Sequence, residues 1–132
     1  MPLITVSVVG KRDRAYKRAL LDGVQDALVA SGVPAADRFQ RVVELDPDNV
    51  LFDPRYPDLA VDRNSDFVLV EVLWSVGRSV NVKRKAVQAI VANVARNAGV
   101  DPARVMVVLT ETQWENWAFS GGRLLHADGV TD

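Results

Sequence analysis

The chain has 132 residues, 48% of them hydrophobic, and a net charge of −1. That suits one domain (1–132) with a core of its own, and the balanced charge gives no general attraction to nucleic acid. Cysteine is absent and His126 is the one histidine, which excludes disulfides, thiolate catalysis and cysteine- or histidine-rich metal sites.

No run is long enough to span a bilayer and no signal-type segment opens the chain, so no membrane partner is expected and the cytosol is the default compartment. Neither a metal nor a cofactor is expected.

Pro2 leads directly into the apolar run Leu3-Ile4-Thr5-Val6-Ser7-Val8-Val9. Trimming of Met1, usual before a small residue, would make Pro2 a secondary amine fixed to the first residue of a strand. An α-amino group titrates near about 7.7–8, so burial or one nearby charge could make it a base, an acid or a nucleophile at neutral pH. The plainer alternative is that Pro2 only starts a strand, where proline is tolerated.

A helix is expected from about Asp13 to Ser31, with Tyr16, Leu20, Val24, Ala27 and Leu28 on one stripe. Gly32 suits its end, and Pro34 blocks continuation. Phe39 to Leu45 reads as the next strand. An Asp- and Pro-rich linker over 46–66 follows, holding at most a short strand near Val50-Leu51-Phe52. Phe67 to Val76 is then a strand, Lys83, Ala86, Val87, Ile90, Val91 and Val94 mark a second helix closed by Gly99, and Val105 to Thr110 is the last strand. A tail covers 113–132, with a turn at Gly121-Gly122.

The two halves repeat. Gly10 and Gly77 each close an apolar run, Gly32 and Gly99 each end a helix, and both pairs are about 67 positions apart. This spacing points to a duplicated supersecondary unit, about 2–45 and 67–112. Each unit is βαβ with a right-handed crossover, which gives an α+β fold: a four-stranded mixed sheet with two helices on one face. The strands are apolar on both sides, as strands buried on both faces are. Other subunits are therefore expected to cover the second face.

The topology also gathers chemistry at one edge. Pro2 begins the first strand and Asp37 precedes the parallel strand beside it. If the second unit runs antiparallel to the first, Arg78 arrives at that edge as well. An amine, a carboxylate and a guanidinium would then converge. Each has a plainer alternative: Asp37 suits a turn, Arg78 a surface position, and Trp74, Trp114, Trp117 and Phe119 a core or interface. The basic residues Lys11, Arg12, Arg14, Lys17 and Arg18 suit a solvated helix face. His126 is assigned no chemistry.

With Pro2 on a βαβ duplication, the segments Val33-Pro34…Asp37-Arg38-Phe39-Gln40, Gly77-Arg78…Lys83 and Trp117-Ala118-Phe119-Ser120-Gly121-Gly122-Arg123 resemble the tautomerase superfamily. They look most like its malonate semialdehyde decarboxylase branch. The resemblance implies a trimer with active sites between subunits. It implies Pro2 as the catalytic proline, Asp37 as the acid beside it, Arg78 as the substrate-binding arginine, and Trp117 and Phe119 as pocket walls. The substrate would be a small anionic oxo acid. That branch can present two arginines before the second helix, whereas Val76 occupies the earlier position here. Decarboxylation of a short 3-oxo acid is the first expectation and keto-enol tautomerisation of a 2-oxo acid such as phenylpyruvate the second. An inactive trimeric binding protein is the third, should Met1 be retained.

Overall fold

Residues 1–128 of the chain are described by a computed structural model. The elements run β1 (Leu3–Val9), α1 (Arg14–Ala30), β2 (Phe39–Leu45), β3 (Val68–Ser75), α2 (Val80–Ala98) and β4 (Val105–Thr112). Short 3₁₀ turns occur at Pro47–Asn49, Pro102–Arg104 and Trp114–Asn116.

Local chemistry fixes the helix ends. The Asp13 carboxylate accepts from the Tyr16 backbone N–H at 2.8 Å, and the Ser79 hydroxyl accepts from that of Val82 at 3.2 Å. Both satisfy donors that a first helical turn leaves open. Gly99 ends α2 in the left-handed region at φ 70°, where a side chain would be strained.

The sheet order is β2-β1-β3-β4. β1 pairs parallel with β2, with Leu3 opposite Phe39, and antiparallel with β3, with Leu3 opposite Leu73. β3 and β4 pair in parallel from Val68–Val105 to Ser75–Thr112. The second unit therefore does run antiparallel to the first. The start of β1, the start of β2 and the end of β3 share one edge.

Alternation along the strands divides the sheet faces. Ile4, Val6, Val8, Val68, Val70, Val72 and Trp74 pack under α1 and α2 against Leu20, Val24, Leu28, Ile90 and Val94. Each such aliphatic side chain contributes about 1.5–3 kcal/mol by leaving water. The helices approach closely at Gly23, where an added Cβ would lie 3.2 Å from the Asn93 backbone carbon. The Asn93 amide donates to the Gly23 carbonyl there at 3.0 Å.

Among the described residues no helix covers the other face. Phe39, Met106 and Val108 are 48%, 46% and 37% exposed there in the isolated chain. This face is less uniformly apolar than expected, since Arg41, Thr5 and Glu71 form a polar line across it, and Arg41 Nε donates to Thr5 Oγ1 at 2.8 Å.

The linker holds no strand near Val50–Phe52. Asp46 caps the 3₁₀ turn through the Asp48 N–H at 2.9 Å, and Pro47 opens that turn without a donor. Leu51 is 99% exposed.

Beyond β4 the tail folds back. The Leu125 N–H donates to the Trp117 carbonyl at 2.8 Å, Leu125 is buried, and the His126 ring meets Trp114 edge-on at 5.1 Å. Gly121 and Gly122, at φ 62° and 75°, form the turn of a Ser120–Arg123 bridge. The tail's last four residues lie outside the described part. Among the basic residues of the first helix region, Lys17 pairs with Glu44, Arg18 with Asp22 and Arg12 with Asp66, in keeping with a solvated face.

Candidate active site

Asp37 sits in the loop before β2, and three residues of α1, Leu21, Asp22 and Gln25, hold that loop and the start of the strand. The Gln25 amide donates to the Ala35 carbonyl at 3.3 Å and the Gln40 amide to the Leu21 carbonyl at 2.9 Å. Arg38 donates to the Asp22 carboxylate at 2.6 Å and to Gln40 Oε1 at 2.8 Å. The hydrogen bond from Arg38 is the main reason that the Asp22 carboxyl lies below its ordinary range. The Asp37 N–H donates to the Pro34 carbonyl at 3.0 Å, closing the turn.

The Asp37 carboxylate points at the start of the chain. It is paired with the Met1 ammonium, and neither of its buried oxygens takes a directed hydrogen bond from elsewhere among the described residues. Met1 is 2% exposed and Pro2 is also buried. With Met1 in place, the Pro2 nitrogen is an amide nitrogen.

Pro2 opens onto a cavity of about 210 Å³ lined by Pro2, Leu3, Phe39, Trp117, Ala118 and Phe119. Its aromatic side is ordered: Phe119 stacks on Phe39 at 5.5 Å between centroids and 6° between planes, and Trp117 tilts against Phe119 at 5.8 Å. The Trp117 indole N–H donates to the Ser75 hydroxyl at 2.9 Å. The tail after β4 thus crosses from the end of β3 to the starts of β1 and β2.

Arg78 stands at the same sheet edge but outside that set of lining residues. Its guanidinium carbon lies 4.1 Å from the centroid of the buried Trp74 ring, and its NH1 donates to the Ser75 carbonyl at 2.8 Å. Gly77, at φ 115°, redirects the backbone between β3 and this residue. Four of the five expected residues, Pro2, Asp37, Trp117 and Phe119, thus gather around the first residues of the chain. Arg78 approaches from the end of β3.

Phe39 and Ser75 were given no role on sequence grounds. For Phe39 a signal existed: as the first residue of β2 it is opposite Leu3, so it shares a face with the residue after Pro2. For Ser75 there was none, because its partner is 42 positions away. Three larger hollows, of about 380 Å³ around Phe52, Phe67 and Met106, about 370 Å³ around Gly10 and Pro47 and about 260 Å³ around Thr5, Arg41 and Glu71, contain none of the candidate residues. Among the described residues no group of three His, Asp or Glu side chains is placed to hold a metal ion.

The family model described as "Tautomerase enzyme" matches residues 37–120, most of the chain. The chain belongs to the tautomerase family. The matched stretch begins at Asp37 and takes in Arg78, Trp117 and Phe119, while Pro2 precedes it. Among solved structures, FG41 malonate semialdehyde decarboxylase inhibited by 3-bromopropiolate is similar at 30% identity and a TM-score of 0.88, over 98% of this chain and 97% of that one. A fused 4-OT wild-type symmetric trimer is similar at 27% identity and a TM-score of 0.78, over 96% and 98%. The "Probable tautomerase YusQ" of Bacillus subtilis (strain 168) is 23% identical over 93% of this chain and 96% of its own length. The four-stranded mixed sheet with two helices on one face is the fold of this family.

Proposed function

We propose that the chain, once Met1 is removed, is an N-terminal-proline enzyme that decarboxylates a short 3-oxo acid such as malonate semialdehyde. The observation that carries this reading is the seating of Pro2 in a small aromatic-walled cavity, with the Asp37 carboxylate at the chain's first nitrogen. One residue step spans about 3.8 Å, so the freed Pro2 nitrogen stays within reach of the acid that Met1 now engages.

The chemistry follows from those groups. Loss of carbon dioxide from a 3-oxo acid needs a sink at the carbonyl for the electron pair of the breaking C–C bond. Neutral Pro2 attacks that carbonyl and expels water as an iminium forms, and the pair then flows into an enamine. Protonated Pro2 instead donates a hydrogen bond to the carbonyl oxygen. Asp37 holds the proline cation or activates a water. Arg78, fixed over Trp74, pairs with the carboxylate through its guanidinium fork. The walls formed by Trp117 and Phe119 favour the step in which charge leaves. Similarity to a malonate semialdehyde decarboxylase at 30% identity supports the choice of substrate.

A second reading is favoured by the lining itself. All six residues around the cavity are apolar or aromatic, which suits the flat side chain of a 2-oxo acid such as phenylpyruvate. Neutral Pro2 would then move the proton between carbon and oxygen. The single arginine before α2 points the same way, as does similarity to a probable tautomerase.

The uncovered sheet face supports a homotrimer, the assembly of the similar fused 4-OT. If Met1 is retained, the third reading holds, an inactive trimeric binding protein. Processed protein should be assayed on malonate semialdehyde and on phenylpyruvate enol, with Pro2→Ala and Arg78→Ala alongside. Carbon dioxide release lost in both variants supports decarboxylation. Enol consumption without carbon dioxide supports tautomerisation, and no turnover of either substrate sinks both enzyme readings.

A further inference from the structure

Ser75 is the last residue of β3 and is fully buried, one of few buried polar residues in the described chain. A hydroxyl taken from water without a partner is destabilising, so its partners indicate why it is there. They lie in two directions. Its hydroxyl oxygen accepts the Trp117 indole N–H at 2.9 Å, and its backbone carbonyl accepts NH1 of Arg78 at 2.8 Å.

One residue therefore touches both parts of the site that reach it from outside β1 and β2. Trp117 lies on a tail that is also tied down on either side of it, by the Leu125 N–H on the Trp117 carbonyl, the Trp114 indole on the Val76 carbonyl at 3.2 Å and the Asn116 amide on the Thr112 hydroxyl at 2.8 Å. The hydrogen bond to Ser75 is the directed contact that fixes the rotation of the Trp117 ring. Through its 5.8 Å contact with Phe119, Trp117 also steadies the stack of Phe119 on Phe39. The Trp74 indole N–H, one residue before Ser75, is buried with no such partner. The indoles of this chain therefore differ: Trp74 is buried without a partner, while Trp114 and Trp117 each donate to the end of β3 or the residue after it.

We propose that Ser75 is a positioning residue: its hydroxyl sets the Trp117 wall against Pro2 while its carbonyl holds Arg78 at the same strand end. This deepens the functional reading above and rests on it. Because the two contacts use different atoms, they separate experimentally. Ser75→Ala deletes the hydroxyl and leaves the carbonyl, so the Trp117 wall loosens while Arg78 keeps its hydrogen bond.

The test uses processed full-length protein and two independent readouts. The first is the Trp117 indole N–H resonance, assigned by its disappearance in Trp117→Phe. Ser75→Ala should shift this resonance and speed its exchange with solvent by about tenfold or more, leaving the Trp74 and Trp114 indoles in place; that last result also shows that the variant is folded. The second is kinetic: kcat should fall about tenfold in Ser75→Ala with KM changed less than about twofold, because Arg78 is undisturbed. Trp117→Phe should show a similar loss, and the double variant no further one, as expected for two residues acting as a unit. An unchanged indole resonance in Ser75→Ala overturns the proposal, as does a shifted resonance with unchanged kcat. A wild type that turns over neither substrate defeats the functional reading instead, and the indole measurement then decides on its own whether Ser75 places Trp117.

Discussion

The Met1 ammonium is paired with the Asp37 carboxylate, and the Met1 side chain is almost completely buried. The acid proposed to work beside Pro2 is thus engaged by the residue that precedes Pro2. Because Pro2 lines the cavity, N-terminal processing decides whether its nitrogen is an amine there.

The first prediction concerns that state. A chain carrying an extension before Met1 keeps Pro2 as an amide and should turn over neither oxo acid, while protein whose intact mass corresponds to residues 2–132 should be active. Equal activity of the two forms, each verified by mass, would remove the amine from the mechanism.

The second concerns the loop that carries Asp37. Asp22 accepts from Arg38, and this hydrogen bond, with a smaller one from Arg18, lowers its pKa from 3.8. A carboxyl whose pKa is lower in the folded state stabilises the fold above its unfolded value, and the gain disappears as pH falls through the folded value. Asp22→Asn should therefore lose stability near neutral pH and show a shallower decline below about pH 4. Asp22 is substantially exposed, so the effect is small. Thermal melts of both proteins from neutral pH to about pH 3 test it, and parallel curves would contradict it.

The third concerns the helix pair. Ile90 is fully buried between α2 and the sheet, so Ile90→Ala should cost about 2–5 kcal/mol in urea unfolding. Asn93→Ala, which deletes the donor to the Gly23 carbonyl, should cost about 1 kcal/mol.

Much of this fold was readable because turns and caps mark its boundaries locally. Phe39–Leu45 was legible as a strand from the Asp37 turn before it and Asp46-Pro47 after it, and Gly99 marked the end of α2. The antiparallel docking of the two units put Pro2, Asp37 and the end of β3 at one edge, as topology alone requires. What could not be read was side-chain direction after a bend. Gly77 redirects the chain so that Arg78 lies over Trp74, and no spacing rule gives that. The Ser75–Trp117 hydrogen bond joins residues 42 apart through a tail whose described part holds only a short 3₁₀ turn and a single bridge. The stack of Phe39 on Phe119 is hidden for the same reason.

The fourth prediction concerns the uncovered face. Val108 lies on it, on an edge strand, and Val108→Glu would place a charge in the proposed subunit contact. Light scattering should show the proposed trimer for the wild type and smaller species for this variant. Val29→Glu, on α1, should leave the assembly unchanged. A Val108→Glu protein with the wild-type mass would show that this face is not the contact.

The most direct test of the account is the turnover of malonate semialdehyde and phenylpyruvate enol by processed wild type and by Pro2→Ala, each confirmed by intact mass. With Pro2 as the catalytic amine, wild type should act on at least one substrate, and Pro2→Ala should lose about a hundredfold or more in kcat/KM. A Pro2→Ala protein as active as the wild type would contradict it.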